Sequence, residues 1–565
     1  MNLDLAYLGR SGLATHGDAA QLSFAPNLRR EPVAFDAALR QPLRFREAIS
    51  ALHDVVVCDL RVAKPDRSAW RAWRAGQQSR EQRIRSDART AAQRMGDAVV
   101  GITPELRREF GKATKRYWQL RDQYSRLLQH EDPELWRMLT PCDPIVTVAD
   151  DVCLFEGFSV DESAYGCLSV RRDDGFSPAS GVQLGTTNVD YSQALYDQFQ
   201  QLRTYRQTRF LVDPAGFTVR TSGNPDYREE KIDLPAGWLR GLMQVQVAAG
   251  LPATTVRLSR ELVYSLLAFL RRHRERSSPR ALRFELLEGQ PPAVVLEPFG
   301  ERLVAHGCRH DGPSLEPIRI WGRRRLQVLA RVLPLADTIT VHLVGTGLPS
   351  FWVVGMGEMT LTLGLSGWTT NDWTRGSSLD TLRPPTVAGR DAIAITAGML
   401  QQRRSLTRRQ LLELSRLPAG ELLAALDHLA RTGQVLFDLA DGVYRFRSIL
   451  PQALGEADVG GPNPELLAAC THVERAEAQV ARRETLPTNR TFAAGKVGKQ
   501  ECEVLFDADQ RLLRGKCSCS HHRKNGLRNG PCRHLLALRM VATATSPASA
   551  VTDPWQQLVA RWLPH

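Results

Sequence analysis

The sequence predicts an α+β protein built from several domains. Its 565 residues are too many for one hydrophobic core, so we expect three or four domains. Strand-like and helical stretches alternate along the chain, separated by linkers rich in Gly and Pro. The last stretch contains three Cys and one His in close spacing, which predicts a metal-binding module of two strands and a helix.

Composition and charge narrow the class of protein. With 43% hydrophobic and 24% charged residues, the chain is typical of globular proteins. No apolar run reaches the roughly 18 residues that predict a membrane span. The N-terminus lacks a basic patch followed by an apolar stretch, so we expect no secretory signal and a cytoplasmic location. The net charge of +13 permits an acidic partner, although an arginine-rich composition also follows from a high-GC genome.

The N-terminal region, residues 1–140, changes character near residue 62. Up to that point we predict short strands and turns that end in an apolar run at 55–60. Residues 64–140 are polar and rich in arginine and helix formers, which predicts a basic helical hairpin. This hairpin is either an arm that touches nucleic acid or, more simply, a solvated helical face.

Residues 142–384 predict one or more central α+β domains. The part from 142 to 250 is strand-like, with turn signals between the strands. From residue 259 on, a helix followed by strands is predicted twice. The helices span 259–272 and 323–333, and the strands span 281–287, 293–297, 338–344, 351–354 and 358–363. DNA sliding clamps are built in this way, and so are many unrelated domains.

Residues 387–450 predict a winged-helix-like module. A capping box at Thr407–Gln410 begins one helix, a second helix spans Ala419–Arg431, and a β-hairpin follows at 434–447. The second helix offers few groups to base edges, and two of them are acidic. These groups are Glu421, Asp427, His428 and Arg431. DNA binding and a purely protein-docking role therefore both stay open for this module.

The chemistry of the chain concentrates in residues 490–541. Cys517-Ser-Cys519 is followed, after twelve residues, by Cys532-Arg-His534. Three thiolates and one imidazole fit a closed tetrahedral Zn²⁺ site, which leaves no position for a catalytic water. A strand is predicted to deliver the first pair and a helix N-terminus the second, where the helix dipole favours a thiolate. The zinc is therefore expected to be structural.

The other Cys and His residues give weaker signals. His521 and His522 lie between the two ligand pairs and are able to replace a ligand, but the set of four is complete without them, so we expect solvated loop residues. Cys308-Arg-His310 imitates half a zinc site without a partner pair. The remaining cysteines are scattered along the chain. They are Cys58, Cys142, Cys153, Cys167, Cys470 and Cys502.

The β-β-α order with Cys-x-Cys and Cys-x-His resembles the SWIM-type zinc finger, and the whole chain resembles bacterial SWIM zinc-finger proteins. The resemblance implies that Cys517, Cys519, Cys532 and His534 are the ligands, and that the module binds DNA or protein. It further implies a non-catalytic accessory protein of a multi-protein system. That system would include a MoxR-type AAA+ ATPase and a von Willebrand factor A protein, and would act in conflict or stress.

Basic residues crowd the zinc module, and such an excess on a small rigid module predicts a phosphate-facing surface. We expect nucleic acid, DNA in preference to RNA, to contact five of them. They are Lys516, Arg523, Lys524, Arg528 and Arg533. Residues 553–565 predict an amphipathic helix with Trp555 and Trp562 on one face, which must dock on its own protein or on a partner.

No sequence motif for catalysis is present. The chain has no Walker loop, no His-Glu-x-x-His, no nucleophile elbow and no kinase signature, so we predict neither an enzyme nor a small-molecule substrate. Two functions follow from the sequence. One is a zinc-binding adaptor that binds nucleic acid through the finger and the winged-helix-like module. The other is a protein-interaction scaffold of the ATPase-associated system, without direct DNA binding.

Overall fold

The structure is a computed structural model whose described residues lie between residues 2 and 562. It describes residues 2–8, 11–16, 18–28, 30–57, 144–159, 163–189, 193–213, 227–233, 236–367, 388–449, 464–486, 490–527 and 530–543, together with Arg108, Lys112, Arg116, Val559, Arg561 and Trp562. The chain divides into two compact units, residues 1–58 with 142–565, and residues 59–141. The predicted hairpin at 64–140 lies outside the described residues, apart from the three named above.

Two small sheets contain the N-terminal strands. One pairs β1 (Asn2–Leu8) with β11 (Tyr227–Asp233) in antiparallel register. The other has five strands in the order β2 (Gly12–His16), β3 (Ala19–Phe24), β10 (Gln207–Val212), β4 (Ala34–Leu39) and β8 (Ser180–Gln183). Strands β3 and β10 are parallel, and β10 pairs with β4 in antiparallel register. Phe24, Phe35 and Phe210 fill one side of this sheet with rings 5–6 Å apart at their centroids.

An antiparallel sheet of eight strands lies at the centre of the first unit. Its order is β12 (Thr254–Arg257), β17 (Thr338–Leu343), β18 (Ser350–Met356), β19 (Met359–Leu365), β7 (Ala164–Arg171), β6 (Val152–Phe158), β5 (Ile145–Val148) and β9 (Gly185–Asn188). Every residue of β6 is buried, so both faces of the sheet are covered. The sheet therefore joins the stretch near residues 145–188 to the stretch near residues 254–365.

Helix α1 (Pro42–Val56) occupies a stretch for which short strands and turns were predicted, and that prediction is wrong here. Val55 and Val56 favour a strand locally, but buried residues recur at helical spacing from Phe45 onward, and Pro42 suits a first helical turn. The helix packs closely on the central sheet. A Cβ at Gly166 would lie 2.6 Å from a methyl group of Leu52, so glycine is required at this contact.

Three further helices interrupt the stretch that was predicted to be strand-like. They are α2 (Arg172–Gly175), α3 (Gln193–Phe199) and α4 (Ala236–Gly250). Helix α4 is buried at every residue from Gly241 to Gly250. A helix that is buried all round shows no amphipathic period, and its valines imitate a buried strand, which explains the error.

The second part of the central region has its first predicted helix and its five predicted strands, together with strands at 254–257, 301–304 and 318–320 that were not predicted. Helix α5 (Arg260–Arg272) begins at Ser259, whose side chain accepts a hydrogen bond from Leu262 N–H. Two 3₁₀ helices, Arg323–Ala330 and Leu333–Leu335, replace the second predicted α-helix. Four strands form one sheet in the order β15 (Glu301–Val304), β14 (Ala293–Leu296), β13 (Leu282–Glu285) and β16 (Ile318–Ile320).

Residues 388–449 contain the two helices and the hairpin that the sequence predicted, together with one helix and one short strand that it did not predict. The helices are α6 (Arg390–Arg403), α7 (Arg408–Ser415) and α8 (Ala419–Arg431), and the sheet has the order β20 (Ser405–Thr407), β22 (Val443–Phe446) and β21 (Val435–Asp438). The capping box is confirmed, since Thr407 Oγ1 accepts from Gln410 N–H at 3.2 Å and Gln410 Oε1 accepts from Thr407 N–H at 2.9 Å. Helix α8 packs against α4 and α6, and shares a core with one face of the central sheet.

The C-terminal module contains more elements than the two strands and one helix that were predicted. Helix α9 (Pro464–Glu474) is followed by a four-stranded antiparallel sheet, a short helix α10 (Ser520–Asn525) and helix α11 (Arg533–Thr543). The strands run in chain order, β23 (Ala478–Leu486), β24 (Arg490–Val497), β25 (Gln500–Asp507) and β26 (Leu512–Cys517). The module has its own hydrophobic core. Across the described ranges, no helix is long and apolar enough to cross a membrane.

Candidate metal centre and its surroundings

Three elements of the C-terminal module bring the four predicted ligands together. Cys517 is the last residue of β26, and Cys519 caps the N-terminus of α10, where its sulfur accepts from His522 N–H at 3.4 Å. Cys532 immediately precedes α11, and its carbonyl oxygen accepts a hydrogen bond from Leu536 N–H. His534 lies in the first turn of that helix. A strand end and two helix starts therefore present the donors, and helix N-termini favour thiolates.

The geometry of these four side chains suits a metal ion. Their donor atoms all lie within 4.8 Å of one another, and Cys517 Sγ is 3.8 Å from His534 Nδ1. In a tetrahedral zinc site the corresponding sulfur–nitrogen separation is about 3.6 Å, so little adjustment is needed. All three thiols are buried. This cluster could hold a metal ion where the spacing predicted one, and the identity of the metal stays a prediction. His521 and His522 do not belong to the cluster.

Cys502, which the sequence left among the scattered cysteines, lies beside the cluster. Its sulfur is 3.6 Å from that of Cys517, and its side chain is buried. The register of β25 and β26 places the two residues directly opposite each other. The turn at 507–510 between two alternating strands was the signal that could have paired them. Cys502 thus supports a ligand from the neighbouring strand, in the way that surrounding groups orient metal ligands.

Helix α9 supports the second ligand pair. Glu465 accepts hydrogen bonds from the backbone N–H of Arg533 at 2.7 Å and from its guanidinium at 2.6 Å. These bonds lower the pKa of Glu465, so the carboxylate stays charged. The His472 ring lies 5.3 Å from the His534 ring, between centroids. Arg533, which was expected to contact nucleic acid, is therefore already engaged by a carboxylate of its own module.

The other predicted nucleic-acid contacts differ in their surroundings. Arg523 and Lys524 are exposed on α10, and neither forms an ion pair with any residue that the structure describes. Lys516 is 80% exposed and 3.8 Å from Glu503, a weak surface pair. Arg528 lies outside the described residues. Cys519 caps the start of α10, so an ion bound by the cluster would hold Arg523 and Lys524 on a defined surface.

The C-terminal module docks on the central region through a buried aspartate. Asp509, in the turn between β25 and β26, is 1% exposed. Its carboxylate accepts from the backbone N–H of Arg280 at 2.6 Å, from Arg280 Nε at 3.0 Å and from Trp321 Nε1 at 2.9 Å. Charge-assisted hydrogen bonds of this kind are stronger than neutral ones. The docking contact was not predicted, because it joins residues 188 to 229 positions apart.

The hairpin of the winged-helix-like module buries its arginines. Arg445 contacts Asp438 at 2.9 Å, Asp441 at 2.7 Å and Asp151 at 2.6 Å. Arg447 forms an ion pair with Glu156 of the central sheet, and both side chains are almost fully buried. Tyr165 O–H also donates to Glu156, at 2.6 Å. The hairpin therefore binds the central sheet.

Helix α8, which was predicted as the second helix of that module, likewise offers few free side chains to a partner. Arg431 forms a bidentate pair with Asp427, at 2.7 and 3.0 Å. Seven residues of α8 between Leu422 and Ala430 are buried. Of the tail, Val559, Arg561 and Trp562 are described, and Trp555 lies outside the described residues. Trp562 is buried and donates to Tyr444 Oη at 3.3 Å, so this part of the tail docks on its own chain.

One open cleft of about 460 Å³ lies on the five-stranded sheet. Alanines line much of it, together with Asp36 and Arg209, which form an ion pair with a 2.7 Å hydrogen bond. The hydrogen bond from Arg209 lowers the pKa of Asp36. A carboxylate held in this way is a poor general base.

The comparisons with known proteins add little. No protein-family model matches the chain, and no curated protein matches it. Among solved structures, the chain is similar to the proliferating cellular nuclear antigen of Entamoeba histolytica, with 12% identity over 40% of this chain and 89% of that one, at a TM-score of 0.28. A second is A. fulgidus PCNA bound to the C-terminal region of FEN-1, with 14% identity over 40% of this chain and 90% of that one, at a TM-score of 0.27. Likenesses this weak assign neither a fold nor a function.

Proposed function

We propose that this protein is a non-catalytic, zinc-binding adaptor that binds nucleic acid through its C-terminal module, a SWIM-type zinc finger. The observation that carries the proposal is the state of Arg523 and Lys524. Both are exposed and without an ion pair among the described residues, on a helix that begins at the ligand Cys519. A metal-fixed helix that presents cations to solvent is suited to phosphate contacts.

Zinc is the metal that best fits the donor set. Three thiolates and one imidazole select zinc among common divalent ions, and the four donors leave no open coordination position. Because the cluster joins β26, α10 and α11, the ion would hold the module together in a structural role. The order of two strands, ligand pair, helix and second pair supports the assignment to the SWIM type.

The winged-helix-like module would serve a structural role in this adaptor. In DNA-binding winged helices, the second helix and the wing face the duplex. Here α8 packs within the protein, and the wing arginines bind carboxylates of the module and the central sheet. The adaptor would therefore contact phosphates with little sequence readout. The second candidate function is a scaffold of an ATPase-associated system that binds other proteins and no DNA.

A titration of the full chain with labelled single- and double-stranded DNA at two salt concentrations tests the proposal. Binding that weakens as salt rises, and that falls about tenfold or more in an Arg523→Gln/Lys524→Gln variant, supports it. An Arg390→Gln/Arg403→Gln variant is the matched control, since both of these arginines are exposed on the winged-helix-like module. Absence of binding, or equal loss in the control, would instead support the protein scaffold.

A further inference from the structure

The C-terminal end of helix α5 carries a basic surface that is separate from the metal module. Arg271, Arg272, His273, Arg274 and Arg276 are all exposed there. We call these five residues, together with Phe299, the α5 patch. Cations in the last helical turn stabilise the helix dipole, which accounts for Arg271 and Arg272. It does not account for Arg274 and Arg276, which lie beyond the helix end at Arg272.

The one acidic residue between Arg271 and Arg276 is Glu275, and it binds arginines that lie outside the patch. Glu275 accepts hydrogen bonds from Arg324 at 2.9 and 3.0 Å and lies 3.5 Å from Arg323. Although burial alone would raise it, these arginines lower the pKa of Glu275 to about 2. None of the four patch arginines forms an ion pair with another residue in the described part of the chain. Their charges therefore remain available to a partner.

Aromatic rings pack against His273, which lies between Arg272 and Arg274 in the chain. His273 stacks on Phe269, with ring centroids 4.1 Å apart, and Phe299 meets Phe269 edge to face at 5.2 Å. Phe299 nevertheless remains 41% exposed. An exposed ring that is held in place by two neighbours costs little conformational entropy when another flat group stacks on it. Arginines beside such a ring are typical of surfaces that bind single-stranded nucleic acids.

The patch lies close to the docked metal module. From Arg276 the chain continues to Arg280, which binds Asp509 in the turn before β26. Four residues span at most about 14 Å. Strand β26 then presents Arg514 and Lys516 at exposed positions and ends at the metal ligand Cys517. Basic residues thus follow one another from the end of α5 to the metal centre.

We infer that the α5 patch binds a single-stranded nucleic acid, with phosphates on the arginines and an unpaired base on Phe299. This surface goes beyond the proposed function, because it belongs to other elements than the zinc finger. Arginine forks match phosphate oxygens in pairs, which suits a phosphodiester backbone. An acidic peptide would use the charges and leave the ring without a role, so the aromatic component favours nucleic acid.

The test compares two triple variants of the full chain. In Arg271→Gln/Arg272→Gln/Arg274→Gln, three patch charges are removed. In Arg390→Gln/Arg403→Gln/Arg416→Gln, three exposed arginines of the winged-helix-like module are removed. Each is titrated with a fluorescent oligothymidylate of roughly 20 nucleotides, longer than a typical site on a binding domain. The patch variant should bind about tenfold or more weakly, and its salt dependence should lose a slope of about 2, or 0.7 for each phosphate contact. The control should bind like the unmodified chain.

A second variant tests the stacked base. Phe299→Leu keeps an apolar side chain against Phe269 but removes the ring, and should weaken oligothymidylate binding about fivefold or more while leaving duplex binding unchanged. Circular dichroism and bound zinc confirm that each variant is folded. Equal loss in both triple variants, an unchanged Phe299→Leu, or equal competition by polyglutamate would overturn the inference. If only Arg523→Gln/Lys524→Gln loses binding, the α5 patch is refuted and the proposed function stands.

Discussion

The winged-helix-like module and the C-terminal metal module carry similar basic residues but use them in opposite ways. In the first, Arg445 and Arg447 are buried and bind carboxylates of the same chain. In the second, Arg523 and Lys524 remain exposed without ion pairs among the described residues. Sequence patterns predicted nucleic-acid contacts for the metal module, and for the winged-helix-like module they left DNA binding and protein docking both open. The difference shows that a charged side chain indicates a binding partner only when it forms no ion pair within its own protein.

The two modules also differ in what stabilises them. The winged-helix-like module shares a hydrophobic core with α4, with one face of the central sheet and with Trp562. The metal module has a separate core, on which the four ligands converge. It is attached to the rest of the protein through polar contacts such as those of Asp509. We therefore expect a bound metal ion to stabilise the metal module, and internal ion pairs to stabilise the winged-helix-like module.

Removal of the metal ligands should give the largest difference between the modules. Cys517→Ser/Cys532→Ser should abolish metal binding and unfold residues 464–543, because structural zinc supplies about 10 kcal/mol or more to small fingers. Hydrogen exchange should then show loss of protection in α11 and unchanged protection in α8. Cys502→Ala, which removes a neighbour and no ligand, should keep one metal ion per chain. Protection of α11 in the double serine variant would contradict a structural metal.

Removal of the buried arginine of the hairpin should have the next largest effect. Arg447→Met removes the cation that the buried Glu156 binds, and should lower the free energy of unfolding by about 3–5 kcal/mol. Urea unfolding measures this change. Arg409→Met is the control, because its exposed pair with Glu413 is worth less than about 0.5 kcal/mol. A small effect of Arg447→Met would mean that the hairpin arginine is free to contact a partner.

Disruption of the docking contact should have an intermediate effect. Asp509→Ala leaves the buried Trp321 Nε1 and two partly buried donors of Arg280 without their acceptor, and should cost about 2–3 kcal/mol. Thermal unfolding should then separate into two transitions, with the metal module melting independently. Glu484→Ala, at an exposed position of the same sheet, serves as the comparison and should leave a single transition. One unchanged transition in Asp509→Ala would show that other contacts hold the module.

The smallest effect distinguishes two arginines within the metal module. Arg523→Gln should weaken DNA binding roughly three- to tenfold, since an exposed cation is lost. Arg533→Gln should change it less than about twofold, because that guanidinium already binds Glu465. Anisotropy titrations of both variants at the same salt concentration measure the difference. Equal losses would mean that nucleic acid displaces Glu465 from Arg533.

Elements governed by neighbouring residues were predictable. The capping box at Thr407, the helix start at Ser259 and the hairpin at 435–446 depend on side chains a few positions apart, and all three are present. Two predictions failed in segments where tertiary packing outweighs the local sequence preference. Other elements cover helices α1 and α4. This packing stabilises a helix although the valines of both segments favour a strand. Local preference yields to packing when the tertiary contacts are extensive.

The sequence by itself determined the four donors of the metal cluster, because their spacing and the turns between them are local properties. Only the tertiary structure decided which arginines stay free. Arg447 meets Glu156 across 291 positions, Arg280 meets Asp509 across 229, and Arg533 meets Glu465 across 68. Which carboxylate a cation finds depends on how sheets and helices pack, and no short pattern contains that information. For the same reason, the sequence could not show that the arginines at the end of α5 keep their charges available. Their acidic neighbour Glu275 binds Arg324 instead.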